Sequence, residues 1–249
     1  MLERFVGRIG GSVLFAFLTS STAFGASCVG STELSRSTVS IMRHFEDTEN
    51  SGRPDVIGVR GTGWFLSPTT LVTVEHVTAA MKLSAQDWKT LEIAGEAGRQ
   101  LVPARIQRLS GTQDERLALI ELQSAVTGAQ SVAIRQEPLT PEERVVTFAY
   151  PGGRPHVVGG RIVRFGEGGK LAGMALLELY EGENRLIVDH GSSGAPVVDC
   201  DGRVTAVVSY LFTQSFYWAS REIRFSTAWG MPNIVSVPVQ ALNDLSEKQ

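Results

Sequence analysis

Cysteine and histidine are scarce: the 249 residues hold two of the first and four of the second. Such a composition excludes a disulfide-dense scaffold and a protein built on several zinc sites. Neither sign of charge dominates. Lys and Arg total 23 against 26 Asp and Glu, a formal net charge of −3, so nucleic acid and anionic lipid have no electrostatic basis as partners. Helical periodicity is sparse past residue 35, and the sequence carries neither an internal repeat nor a low-complexity tract. With 43% hydrophobic and 20% charged residues, what remains is an ordinary globular chain, long enough to bury a real core in one large or two smaller domains.

The first thirty residues read as an export signal. Arg4 and Arg8 precede an apolar stretch over 13–18, and Ala23-Phe24-Gly25 has the small-x-small pattern of a cleavage site. Residues 1–25 are therefore set aside as a signal peptide, and the mature protein is expected in the periplasm or outside the cell. Retention as a membrane anchor is the rival reading. The polar and small residues after 18 leave the apolar run short of the about 20 residues that a span needs. In an oxidising compartment Cys28 and Cys200 are expected to form a disulfide that pins the mature N-terminus to the C-terminal half. The alternative is a lipid on Cys28, which would supply the one membrane contact; Gly25 stands three before it, where a bacterial lipobox usually has Leu.

After residue 35 short runs rich in Val, Ile, Leu and Thr alternate with Gly, Pro, Asp and Ser, the pattern of an all-β protein. Strands are predicted over 56–66, 71–74, 101–108, 117–122, 145–149, 157–165, 175–180, 185–188, 196–200, 204–210 and 234–237. Asp201-Gly202 predicts a two-residue type I′ hairpin, whose central residues both need positive φ. Residues 137–143 are polar and hold Pro138 and Pro141, which suggests a linker between two β halves, 36–137 and 138–249. Each half must hide its sheet edges as a closed barrel or sandwich. Residues 239–245 are expected to form a short C-terminal helix on the second half.

The segment 189–196, Asp-His-Gly-Ser-Ser-Gly-Ala-Pro, is the most informative. A serine flanked by glycines on a tight loop exposes its hydroxyl, and the same loop can aim backbone N–H groups at a developing oxyanion, here those of Gly191 and Ser193. Its partner base is His76, which follows the apolar run 71–74 and, further upstream, the Gly-Thr-Gly-Trp-Phe-Leu segment 61–66. Serine plus histidine argues for a hydrolase in which imidazole takes the hydroxyl proton. Chain order narrows the choice. No histidine follows Ser193 and Ala195 replaces the last glycine of Gly-x-Ser-x-Gly, against an α/β-hydrolase. Few helices remain for a subtilisin-like scaffold.

These motifs resemble those of the trypsin-like (chymotrypsin-fold) serine peptidases, particularly bacterial secreted members related to the HtrA proteases. The resemblance spans roughly residues 58–242 and includes Gly-Thr-Gly-x-Phe-Leu before the histidine, Ala149-Tyr150-Pro151-Gly152, and Gly-x-Ser-Gly-x-Pro followed by the Asp-Gly turn. It implies two six-stranded antiparallel Greek-key barrels with the active site between them, a polypeptide substrate, no cofactor and no metal. HtrA-type PDZ domains are not expected, and the oligomeric state is left open.

Three positions qualify the resemblance. Its members usually carry Asp directly before an apolar-x-Leu-Leu strand, but here Arg116 precedes Leu117-Ala118-Leu119-Ile120, with Asp114 and Glu115 just upstream. Asp114 is the expected triad acid and Glu115 the second choice; a missing acid would leave a catalytically weak pseudoprotease that binds peptides in its cleft. Ser192 occupies the place of the Asp that receives a freed N-terminus in relatives activated by cleavage, so that route is not expected. Ile187, six before the serine, removes the electrostatic basis for Arg or Lys selection. Residues Val208, Ser209 and Tyr210 are expected to wall a small or apolar pocket. His44, His156 and His190 show no metal-ligand spacing, His190 reads as a surface residue, and Phe216, Trp218, Phe225 and Trp229 are expected to cover the second barrel or frame the cleft.

Overall fold

The computed structural model describes residues 28, 31–46, 57–110, 116–181, 184–185, 191–218, 221–227 and 230–245. The first barrel is built from β1 (Thr38–His44), β2 (Gly58–Ser67), β3 (Thr70–Val74), β4 (Lys89–Gly95), β5 (Gly98–Ser110) and β6 (Leu117–Leu122), hydrogen-bonded in the order β1-β2-β3-β6-β5-β4 and closed by β1 against β4. A short helix, α1 (Ser31–Ser37), leads into it, and a second, α2 (Glu75–Ala80), follows β3 directly. Each strand turns β-branched and aliphatic residues inward. Trp64, Ile41, Leu71, Leu91, Leu117 and Ile120 are fully buried, each contributing about 1.5 to 3 kcal/mol of apolar burial.

The second barrel repeats this order with β7 (Arg144–Ala149), β8 (His156–Phe165), β9 (Ala175–Glu181), β11 (Pro196–Val198), β12 (Val204–Leu211) and β15 (Ile234–Pro238). Here β9 pairs with both β8 and β15, which closes the sheet, and the two-residue β10 (Asn184–Arg185) adds to β9 outside the ring. Two closed six-stranded antiparallel barrels are therefore present, as the resemblance implied. In each, the fourth strand lies beside the first, the Greek-key return. Among the described residues a ribbon of β13 (Thr213–Trp218) and β14 (Arg221–Ser226) pairs only within itself; it holds Phe216, Trp218 and Phe225, whereas Trp229 lies outside the described residues.

The apolar core does not stop at the barrel boundary. Leu139, Val158, Ile162, Leu177, Val197 and Val208 fill the second barrel. Phe148, Tyr150, Leu176, Val207 and Val235 instead join the cluster that fills the first. Residues 239–245 form a 3-10 helix, Val239–Leu245, that packs on both β12 and β5, with Val239 and Leu242 buried in the shared cluster. The helix thus bridges the barrels instead of resting on the second alone. The segment read as a linker is also tied down: Glu142 N–H donates to Ile162 O at 2.8 Å, Ile162 N–H to Glu143 O at 2.9 Å, and Leu139 is buried.

The turn at 199–203 departs from the two-residue hairpin. Gly202 N–H donates to Asp199 O and Asp199 N–H to Arg203 O, both at 3.0 Å, and only Gly202 of the central residues has positive φ, at 80°. Cys200, Asp201 and Gly202 form a three-residue loop, a turn ending in a left-handed glycine. The Asp199 carboxylate accepts the Asp201 and Arg203 N–H groups at 3.0 and 2.9 Å and so holds Asp201 at negative φ. Cys200 at the loop's tip is bonded to Cys28, the expected disulfide. Among the described residues no helix is long and apolar enough to cross a membrane.

Candidate active site

His76 is the second residue of α2. Val74 ends β3 opposite Leu117, and Glu75 N–H donates to Arg116 O at 2.8 Å, so the β3–β6 ladder runs into the helix without a break. Val77 and Thr78 are buried, while His76 lies on the exposed side of the same turn. His76 is thus carried by one short helix whose buried face anchors it.

Ser193 lies on the loop before β11, half-buried, with its hydroxyl donating to Ser209 O at 2.8 Å. Two glycines make the loop possible. Gly194 has φ +92°, and a Cβ there would stand 2.0 Å from Thr62 O and 2.1 Å from Thr73 Oγ1; Gly191 has φ +108°, and its Cβ would meet Tyr150 O at 2.7 Å. Only a residue without a side chain fits either place.

The two segments meet across β2. Thr62 N–H donates to Ser193 O at 2.9 Å. A Cβ on Gly61 would touch Val77 on one side at 2.6 Å and Ser193 O on the other at 3.5 Å. The helix carrying His76 and the loop carrying Ser193 therefore meet at Gly61, and the loop is held further by Thr62.

Thr62 is the residue that sequence reasoning passed over. Fully buried, its hydroxyl donates to Gly191 O at 2.6 Å and accepts Tyr150 N–H at 3.0 Å, while its carbonyl accepts Thr73 Oγ1–H at 2.8 Å. A hydroxyl that gives one bond and takes another has its proton direction determined. The orientation of the Gly191 peptide is thereby linked to the second barrel's entry at Tyr150. The threonine inside Gly-Thr-Gly was the available signal.

The expected pocket residues divide. Val208 lies in the second-barrel core, Ser209 is fully buried with its Oγ lacking a partner among the described residues, and Tyr210 is 37% exposed beside Leu211 at 38%. Ser192 is buried, its hydroxyl likewise without a partner. Asp114, Glu115, Ile187 and His190 lie outside the described residues. His44 points to Glu92 at 3.4 Å.

Arg116, at the position where the resemblance puts an acid, grips Glu75 with two bonds, Nε to Oε2 at 2.6 Å and Nη2 to Oε1. Those bonds raise the guanidinium pKa above its already high ordinary value, so the cation is permanent.

Solved structures share this architecture. The chain is similar to the Rv3671c protease from M. tuberculosis in its active form, at 17% identity over 86% of this chain and 82% of that one, with a TM-score of 0.57. The inactive form of that protease gives 17% identity, 87% and 90% coverage and a TM-score of 0.56. The serine endoprotease from Yersinia pestis gives 15% identity, 87% and 64% coverage and a TM-score of 0.54. A comparison with curated protein sequences gave no match. Residues 61–207, more than half of the chain and the stretch that runs from Gly61 through the serine loop, match the trypsin-like peptidase domain; the chain belongs to that family and is a serine-type endopeptidase.

Proposed function

We propose that Ser193 and His76 carry out peptide hydrolysis in an exported protein. One observation carries the reading: Val77 of α2 and Ser193 of the serine loop both close on Gly61 of β2, and the neighbouring Thr62 N–H bonds Ser193 O. The Ser193 hydroxyl, turned from Ser209 O toward the imidazole, attacks the peptide carbonyl carbon while its proton passes to His76. The oxyanion is met by the N–H groups of Gly191 and Ser193, a contribution of about 3 to 4 kcal/mol per donor. The C–N bond then breaks, and His76 returns the proton to the leaving amine. Water completes the cycle: its proton goes to His76, its oxygen displaces Ser193 from the acyl ester, and the serine regains its proton.

An extended substrate fits beside β12. That strand pairs with β11 only over residues 204–207, while β15 covers its other edge as far as Leu211. The end of β12 lies next to Ser193, whose hydroxyl reaches Ser209 O, and is assigned as the place where a polypeptide adds as a strand. Val208, Ser209 and Tyr210, with Ile187, are assigned to the primary pocket, and Asp114, with Glu115 second, to the triad acid. Export with removal of residues 1–25 fits the Cys28–Cys200 disulfide.

Treatment with a fluorophosphonate tests this reading. Labelling is expected in the wild type, absent in Ser193→Ala, and strongly reduced in Asp114→Asn. Loss with Glu115→Gln but not Asp114→Asn moves the acid to Glu115. No Ser193-dependent labelling overturns the proposal and leaves the cleft as a peptide-binding surface.

A further inference from the structure

We propose that Glu75 is a positioning residue of an electrostatic kind: it masks the Arg116 guanidinium so that positive charge can develop on His76 during the reaction. The inference rests on the reading of His76 as the base.

A permanent cation stands at the rim of the first barrel, where one backbone hydrogen bond, Glu75 N–H to Arg116 O at 2.8 Å, holds it beside the residue preceding His76. An imidazole that accepts the serine proton becomes a cation itself, and a bare guanidinium nearby opposes that step. Glu75 uses both carboxylate oxygens on Arg116, a two-pronged geometry that fixes the guanidinium plane and cancels its charge locally. The pair is partly solvated, with side-chain accessibility of 39% for Arg116 and 26% for Glu75. An ion pair this wet adds little to folding stability, so its placement one residue from His76 calls for another account.

Charge masking and mechanical strapping make opposite predictions. If the pair only straps β6 to α2, removing either partner or both loosens it equally. If Glu75 masks a harmful cation, only the variant that leaves Arg116 bare is impaired. Two unit charges about 8 Å apart at an effective dielectric of about 30 to 40 interact strongly enough to change a rate roughly five- to tenfold.

The test compares the wild type, Glu75→Gln, Arg116→Gln and the double variant, each as the full chain and shown folded by near-ultraviolet circular dichroism. The rate of fluorophosphonate labelling at Ser193 is resolved into the inactivation rate constant and the probe's half-saturation concentration. Glu75→Gln is expected to lower the rate constant five- to tenfold with half-saturation unchanged. Arg116→Gln is expected to label at or above the wild-type rate, and the double variant within twofold of it. In 1 M NaCl, where the Debye length is about 3 Å, the Glu75→Gln deficit is expected to shrink to less than twofold. Glu75→Ala serves if Glu75→Gln does not fold. Equal losses in all three variants, or a deficit indifferent to salt, overturn the inference while leaving His76 as base. Wild-type labelling that His76→Ala does not slow overturns that reading and the inference together.

Discussion

The two barrels share one strand order, yet they secure the entrance to their sixth strand by different chemistry. In the second, Asn233 precedes β15; its backbone N–H donates to Leu177 O at 2.8 Å and its buried side chain both accepts from and donates to the Leu179 backbone, at 2.9 and 3.0 Å. In the first, the corresponding place before β6 belongs to Arg116, which reaches the Glu75 carboxylate. The acid facing each entrance also differs. Glu178 is wholly buried and held by Arg161 and the Gly230 N–H, whereas Glu75 remains partly in water. A neutral amide can be buried cheaply once its bonds are made, but a guanidinium and carboxylate at a cleft keep solvent access. The second barrel locks its closure, and the first keeps charge beside the residue assigned to chemistry.

His76 and Ser193 both sit between the third and fourth strands of their own barrel. If the site is assembled equally from the two, His76→Ala and Ser193→Ala should each lower peptide hydrolysis by about 10⁴-fold or more, and the double variant should lose no more than either single one. Additive losses, measured with a fluorogenic peptide, would show that the barrels contribute separately.

The seam between the barrels comes next in size. Thr62→Val keeps the shape but removes the hydroxyl between Tyr150 N–H and Gly191 O. The expected result is a ten- to thirtyfold loss of kcat at little-changed KM, with about 2 kcal/mol lost in urea unfolding. Thr62→Ser should restore both. A stability loss with kcat intact would show that the seam holds the barrels together without aligning the loop.

The smallest effect concerns the segment entering the second barrel. Burial pushes the Glu143 carboxyl up, but the Arg135 guanidinium and the Thr140 N–H and hydroxyl outweigh it and hold it below the ordinary carboxylate range. A depressed folded-state pKa adds stability that is present above the unfolded value near 4.3 and lost as pH falls through the folded one. Glu143→Gln should therefore unfold more easily than the wild type by about 1 kcal/mol near neutral pH. The gap should close as the solution is acidified below about pH 4; a gap constant with pH would assign the loss to packing.

Much of the fold was legible. Runs such as 117–122 and 145–149 announce themselves through mostly apolar and β-branched character, and both became strands with nearly those bounds. β1 and β4 were missed because their apolar residues alternate with Ser40, Arg43, Thr90 and Glu92. Arg43 in particular is buried yet charged, its guanidinium satisfied by Met81 O at 2.7 Å, a partner 38 residues away that no local pattern reveals. The Asp201-Gly202 turn was placed correctly but given the wrong type, since the carboxylate that holds Asp201 out of positive φ belongs to Asp199.

Short runs rich in Val, Ile, Leu and Thr, the glycines around Ser193 and the order of histidine before serine are properties of the chain read locally, and they determined the fold class and family. Which distant residues face one another was decided by closure of the barrels. Thr62 and Gly191 are 129 residues apart and joined by a 2.6 Å bond; Glu75 and Arg116 are 41 apart and joined by charge. Periodicity carries information over a few residues, whereas hydrogen bonds and ion pairs between distant segments exist only once the sheets have curled and set their register.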